Sequence, residues 1–244
     1  MLAGATLATL SAQWIDHPDP RTPRTPDGKP NLSAPAPKLA DGKTDFSGIW
    51  LVDDNHLQFN LMLDEGQVAM LPAAAAVYQK RLAGAGKDRP SGHCLPHGIP
   101  DATMIPEPFK IMHTPGETLI LFEEFVEFRQ IFTDGRAFPK EMQPAWFGYS
   151  IGRWEGDALV VETRGFNDKS WLDDSGRPHT EALHTIERFH RRDFGHMDVE
   201  ITIDDAQAYT KPWSFPLQFE FLADTEMIED VCDNERDSAH SIGK

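Results

Sequence analysis

Apolar and polar residues alternate most clearly over residues 197–204, where Met197, Val199, Ile201 and Ile203 interleave with Asp198, Glu200, Thr202 and Asp204. A period of two predicts a strand with one buried and one wet face. Residues 184–192 alternate as well, and Asp193-Phe194-Gly195-His196 between the two segments reads as a hairpin turn. Glu155-Gly156-Asp157 joins residues 149–154 to residues 158–164 in the same way. Residues 118–132 supply two short strands, ended by the turn Thr133-Asp134-Gly135-Arg136. Residues 214–222 alternate through Phe215, Leu217, Phe219 and Phe221, and residues 227–232 read as a last strand. The only clear helix pattern is residues 72–82: proline fits the first turn, alanines follow, and basic residues lie near the end. Residues 84–108 are loop-rich. Successive hairpins without crossover helices predict an all-β fold, an antiparallel meander or closed barrel with one or two short helices.

The globular part begins at Phe46-Ser47-Gly48-Ile49-Trp50, which makes residues 46–244 a single barrel domain. Residues 13–45 form an extended Pro-rich arm, in which Asp27-Gly28-Lys29-Pro30-Asn31-Leu32-Ser33 is echoed by Asp41-Gly42-Lys43-Thr44-Asp45-Phe46-Ser47. This duplication predicts two successive turns on a segment that must lie on a surface, its own or a partner's. An arm of this kind also raises the prospect of a homo-oligomer. Residues 1–12 are apolar and uncharged, too short to span a bilayer, and read as the remnant of a signal peptide. That reading places the protein in the periplasm or outside the cell.

Composition narrows the functional classes. Among 244 residues, 23 Lys and Arg stand against 39 Asp and Glu, a formal charge of −16. Such a charge repels phosphate backbones and anionic lipid, which argues against nucleic-acid and membrane partners. No dinucleotide fingerprint, P-loop or nucleophile elbow occurs in the chain. The two cysteines, Cys94 and Cys232, form a disulfide in an exported chain. Their alternative is a pair of metal-binding thiolates. His93 and His97, with three residues between them including Cys94, offer a metal-dependent reading of the same loop. Disulfide pairing accounts better for the cysteines, and no cofactor is expected.

The hairpin over residues 184–204 carries the chemical argument. If Phe194-Gly195 form a two-residue turn, His190 faces Val199, Arg188 faces Ile201 and Ile186 faces Ile203. His184, Arg188 and His190 then point inward with the aliphatics. A bulged three-residue loop would instead aim Glu187 and Phe189 inward. The two-residue turn is the favoured register, and the ionisable groups it places inward need partners that a barrel enclosing a ligand cavity would supply. The long connection ahead of this hairpin carries Asp168, Trp171, His179 and Glu181. His179, Glu181 and His184 are close enough in sequence to converge at a strand entrance, where a His–carboxylate pair can move protons. Arg129 lies among Phe122, Phe125 and Phe128 with Glu124 and Glu127, and a buried arginine there would clamp a carboxylate or phenolate. Trp146, Trp154, Trp171 and Trp213, with Tyr149 and Tyr209, offer an aromatic lining.

Gly48-Ile49-Trp50 resembles the G-x-W motif of lipocalin-like barrels, whose tryptophan closes one barrel end and whose interior holds a small apolar or aromatic molecule. More broadly, the chain resembles a large group of uncharacterised exported bacterial proteins with a lipocalin-like, calycin-type barrel. The likeness rests on Thr25-Pro26-Asp27-Gly28-Lys29-Pro30, on Cys94-Leu95-Pro96 with Gly98 and Pro100, and on Ser150-Ile151-Gly152-Arg153-Trp154-Glu155-Gly156-Asp157. Gly165-Phe166-Asn167-Asp168, Pro178-His179 and Tyr209-Thr210 with Pro212-Trp213 extend it over nearly the whole chain. It implies export and a barrel, and names no reaction.

Three functions are therefore expected in order. The first is a barrel enzyme of metal-free acid–base chemistry (elimination, isomerisation or cyclisation) on a small apolar or aromatic substrate. His179, Glu181 and His184 would exchange protons, Asp168 would orient a histidine, and Arg188 or Arg129 would stabilise negative charge. Trp171, His190 and Tyr149 would complete the substrate contacts. The second is a non-catalytic binder of the same kind of ligand, and the third an interaction protein that uses its arm. The outward Asp198, Glu200 and Asp204 around an inward basic set point to a neutral or anionic ligand.

Overall fold

The structure, a computed structural model, describes residues 14–15, 17–53 and 68–232. The segment read as a signal-peptide remnant, residues 1–12, lies outside them. Nine strands close into a barrel: β2 (Gly48–Val52), β3 (Phe109–Thr114), β4 (Glu117–Phe122), β5 (Phe128–Phe132), β6 (Tyr149–Glu155), β7 (Ala158–Arg164), β8 (His184–Arg191), β9 (His196–Asp204) and β10 (Trp213–Phe221). Each pairs with its neighbours in the sequence, and β10 closes antiparallel on β2 through Trp50 opposite Phe221. Every pair is antiparallel except β5–β6, which run parallel over Ile131↔Ser150 and Phe132↔Ile151. A short strand β1 (Trp14–Ile15) pairs with β11 (Thr225–Glu226) beside the barrel. One α-helix, α1 (Pro72–Ala83), follows the expected pattern: Pro72 lies in its first turn, and Lys80 and Arg81 in its last. Two short 3₁₀ turns at Pro90–His93 and Asp101–Thr103 follow it.

Alternation decides what fills the barrel. Phe109, Ile111, Ile120, Val161, Met197, Val199, Ile201, Leu217 and Phe219 are buried, each contributing about 1.5–3 kcal/mol relative to an exposed side chain. Trp50 is wholly buried, its indole donating to Phe46 O at 2.9 Å. The Arg191 guanidinium lies 4.7 Å from its ring centre and donates to Asp45 O at 2.6 Å. This assembly closes the barrel end that carries the tight turns. Gly48 packs so closely on Phe221 that a Cβ at that position would run into its ring.

The hairpin register differs from the one adopted above. His190 faces Asp198, Phe189 faces Val199 and Glu187 faces Ile201, because Arg192 N donates to His196 O across a three-residue loop. Asp193 shapes that loop, accepting from Gly195 N at 3.0 Å and contacting His196 Nδ1 at 2.7 Å. Thr185, Glu187, Phe189 and Arg191 therefore point inward. The placement of His184, Arg188 and His190 inside the barrel is corrected: Arg188 and His190 are exposed and His184 is half-buried on the outer face. Residues 227–232 are not the expected last strand, since they run along the wall and bridge only at Asp230, beside Glu124.

The arm's duplication is structural as well as sequential. Thr25 N donates to Lys29 O and Asn31 N to Pro23 O; Leu39 N donates to Lys43 O and Asp45 N to Pro37 O. Gly28 and Gly42 take the same left-handed conformation, with φ of 83° and 85°. The arm lies on its own barrel: Ala34 O and Leu32 O accept from Phe194 N and Gly195 N, and Lys38 reaches Asp157 at 2.5 Å. It thus grips the tips of two hairpins at the closed end.

Strand directions gather the long connections at the opposite end, where β2–β3, β4–β5, β7–β8 and β9–β10 are joined. The disulfide Cys94–Cys232 links two segments there, spanning 138 residues of sequence. It ties the end of the described chain to the loop after α1.

Candidate functional site

The residues expected to form one site are distributed over the molecule. His179 is buried, with Nδ1 3.1 Å from Thr180 O and Nε2 2.7 Å from Ser170 Oγ. A carbonyl only accepts, so Nδ1 carries the proton and Ser170 donates to Nε2. Burial pushes this imidazole below its ordinary pKa. Glu181 and His184 line a separate surface groove with Arg164 and Met142, and His184 Nε2 contacts Glu162 at 3.2 Å. Burial, aided by Arg164, lowers the His184 pKa too. Asp168 and Trp171 face a third hollow, beside Arg81 and the exposed His93. Arg188 pairs with Glu155 on the barrel exterior at 2.6 Å. Among the expected tryptophans and tyrosines, Trp146 and Tyr149 share a cleft, whereas Trp213 packs on Tyr209 and Trp154 on Phe46.

That cleft, about 510 Å³, follows the parallel seam. Strands β5 and β6 pair over two residues and then diverge, leaving an opening walled by Phe128, Phe132, Trp146, Phe147 and Tyr149. Phe128 is 61% exposed and Val126 57%, an unusual display for large apolar groups. Arg136 stacks over the Phe132 ring at 3.9 Å and donates to Tyr149 Oη at 3.3 Å, while Asp134 pairs with the same guanidinium at 2.6 Å, which puts an ion pair at the rim. Arg129 forms part of the lining from within, but its guanidinium is committed. It clamps both oxygens of Glu187 and donates to Ser150 Oγ at 3.1 Å and Thr163 Oγ1 at 2.8 Å. Arg129 does hold a carboxylate, and that carboxylate belongs to the chain itself.

The cleft's upper lip is the β4–β5 turn. Phe125 and Val126 both take positive φ, 60° and 55°. This conformation is costly for a β-branched residue and persists only when its surroundings enforce it. Enforcement comes from the C-terminal segment: Phe125 N donates to Asp230 O at 2.8 Å, and Ile228 N to Glu123 Oε2 at 3.1 Å. The turn brings Glu124 to His97, whose Nε2 lies 2.8 Å from Glu124 Oε2, while Nδ1 meets Asp101 Oδ2 at 2.6 Å. Burial pushes the His97 pKa down, but the two carboxylates outweigh it and raise it to about 10. Burial raises Asp101 to about 6 against the pull of His97. Perturbed groups of this kind gather at functional sites. The sequence offered His97 beside His93 only as the alternative, metal-dependent reading; in the structure its neighbours are Asp101, Glu124 and Asp174, and His93 is absent from this cluster.

Glu127 projects between this cluster and the cleft. Burial raises its pKa to about 7; the charge on His97 opposes the shift and Glu124 adds to it. Below about pH 4.5 the carboxyl is protonated in folded and unfolded chains alike. As pH rises from there towards 7, only the unfolded chain gains by ionising, so stability falls. The shift corresponds to about 3 kcal/mol, which solvent screening at this half-exposed side chain reduces to about 1–2. Glu127→Gln is expected to gain that amount over the wild type at pH 8 and almost nothing at pH 4. Urea unfolding at the two pH values measures it, and an equal difference at both would contradict the assignment.

The chain matches no protein-family model and no curated protein. Its fold and site define an all-β barrel with an aromatic cleft outside its wall, bordered by a buried histidine–carboxylate cluster. No helix among the described residues is long and apolar enough to cross a membrane.

Proposed function

We propose that this protein takes a small aromatic, anionic molecule into the cleft along the β5–β6 seam and exchanges a proton with it through Glu127. The observation that carries the reading is a half-buried carboxyl beside a cleft of five aromatic side chains with the Arg136–Asp134 pair at its rim. The volume lies within the roughly 300–1,000 Å³ range of small-molecule sites. Aromatic walls favour a planar ligand by stacking. The rim guanidinium of Arg136 is held by Asp134 through Nε and Nη2, and Nη1, directed at Tyr149, is the donor it can offer to a carboxylate or phenolate on the ligand. A carboxyl that titrates near neutral pH is suited to general acid–base work. The disulfide agrees with export to an oxidising compartment.

Calorimetry with benzoates, phenols and their neutral analogues tests the reading. Anionic aromatics are expected to bind, and Phe128→Ala and Trp146→Ala to weaken binding about tenfold or more. Glu127→Gln should retain binding while abolishing any turnover. Binding untouched by the aromatic substitutions would defeat the cleft assignment. Turnover that survives Glu127→Gln would leave a binding protein with its chemistry elsewhere.

A further inference from the structure

We propose that His97, Asp101 and Asp174 form a site for one divalent transition-metal ion, of the Zn²⁺ or Mn²⁺ class. One ligating atom from each lies within 4.8 Å of the other two, so small side-chain shifts would bring all three to bond lengths of about 2.0–2.2 Å around a single ion. The three come from different places in the sequence: His97 from the loop after α1, Asp101 from the 3₁₀ turn that follows, and Asp174 from the β7–β8 connection.

A second observation is independent of this spacing. Asp101 is 3% exposed, and its Oδ1 has no hydrogen-bond partner although Oδ2 meets His97. The Asp174 side chain is 9% exposed; Arg89 holds its Oδ2 at 2.7 Å, while Oδ1 is likewise unpartnered. Two buried carboxylate oxygens without donors, in the same cluster, are rare in folded proteins and call for a cation. The local charge agrees. Asp101, Glu124, Asp173 and Asp174 face the guanidiniums of Arg89 and Arg177, an excess of negative charge that a proton on His97 offsets in part and a divalent ion offsets in full.

Glu124 lies where it can support His97 as a ligand. Its Oε2 is 2.8 Å from Nε2, which makes no hydrogen bond, while Nδ1 meets Asp101 Oδ2 at 2.6 Å; an ion taken on Nδ1 would replace that bond and leave Nε2–H to turn to Glu124, the carboxylate–histidine–metal order common in metalloproteins. One nitrogen and two carboxylates suit Zn²⁺ or Mn²⁺ better than Ca²⁺, which prefers six to eight oxygens.

The experiment is equilibrium dialysis of the EDTA-stripped full chain against Zn²⁺ or Mn²⁺, followed by elemental analysis. One ion per chain is expected for the wild type and for His93→Ala. Asp101→Asn and Asp174→Asn should lose the ion, with circular dichroism confirming that they fold. Glu124 is nearer the surface, and Glu124→Ala should weaken affinity by about 10–100-fold, which keeps the test decisive if the aspartate variants misfold. No stoichiometric ion in the wild type would overturn the proposal, leaving His97 as a protonated bridge. Undiminished binding in folded Asp101→Asn and Asp174→Asn, or in Glu124→Ala should those misfold, would overturn it equally.

Discussion

Arg129→Met is expected to destabilise the protein by about 3–5 kcal/mol, a loss measurable by urea unfolding. The guanidinium and the Glu187 carboxylate are each 1% exposed, and together with Ser150 and Thr163 they satisfy one another inside the barrel. Removing the arginine leaves a carboxylate in an apolar interior, and that orphaned charge accounts for most of the cost. The double variant Arg129→Met/Glu187→Leu removes both charges and should recover most of the loss, because well-packed apolar groups often replace a buried pair without penalty. If the single variant lost less than about 1 kcal/mol, the pair would have to be water-accessible, contrary to its burial. The pair lies behind the cleft, so the single variant should also weaken ligand binding there, whereas the double variant retains a firm wall.

Cys94→Ser/Cys232→Ser is expected to have an effect of similar size. A cross-link over 138 residues restricts the unfolded chain by about 4–5 kcal/mol in the loop-entropy model, and native disulfides typically contribute about 2–5. Thermal unfolding with and without reductant gives the value. The structure adds a local consequence. The segment ending at Cys232 supplies Asp230 O to Phe125 N, a bond that holds the strained turn at the cleft's lip. Losing the disulfide should therefore accelerate amide exchange at Phe125 and Ile228 more than in the hairpin β8–β9. Uniform acceleration would show that the bridge acts on the unfolded state alone.

Much of the barrel is legible in the chain because alternation survives wherever one face is buried. Strands β6 to β10 and helix α1 lie within a residue or two of where the patterns put them. Turn length is another matter. Alternation is unchanged by a one-residue slip, and only the side chain of Asp193, capping the turn, decides between a two- and a three-residue loop. That slip reverses which residues face the interior, so His184, Arg188 and His190 exchange places with Glu187, Phe189 and Arg191. Residues 227–232 carry apolar groups in a strand-like string, but the barrel is already closed and leaves them no ladder to join. The two turns of the arm, by contrast, are readable, since they are local and each repeat encodes its own glycine, whereas the surface the arm lies on is not.

The candidate site was legible only in fragments. Arg129, Tyr149, Trp146 and His97 each stand out in the sequence as chemistry-bearing residues, whereas Glu127 reads only as a charge beside Arg129 and its role is not legible there. Their convergence depends on pairings that no local pattern records: the β5–β6 contact, the return of the C-terminal segment, and the approach of Asp174 to the loop of His97. His179 shows the opposite case. Its spacing from Glu181 and His184 suggests a cluster, yet the chain folds it onto Ser170, away from both.

The number of strands has its own consequence for the cleft. Around any closed ring, strands can alternate up and down without exception only if their count is even. Nine cannot, so at least one neighbouring pair must run in the same direction, wherever the chain places it. Here that frustrated pair is β5–β6, held by two residue pairs before the strands part. Parity thus requires a parallel pair, and because this one is so short it leaves an opening that side chains have furnished with aromatic rings and a carboxyl. An eight- or ten-stranded relative could close its ring by strict alternation, and nothing in its topology would oblige it to keep this cleft.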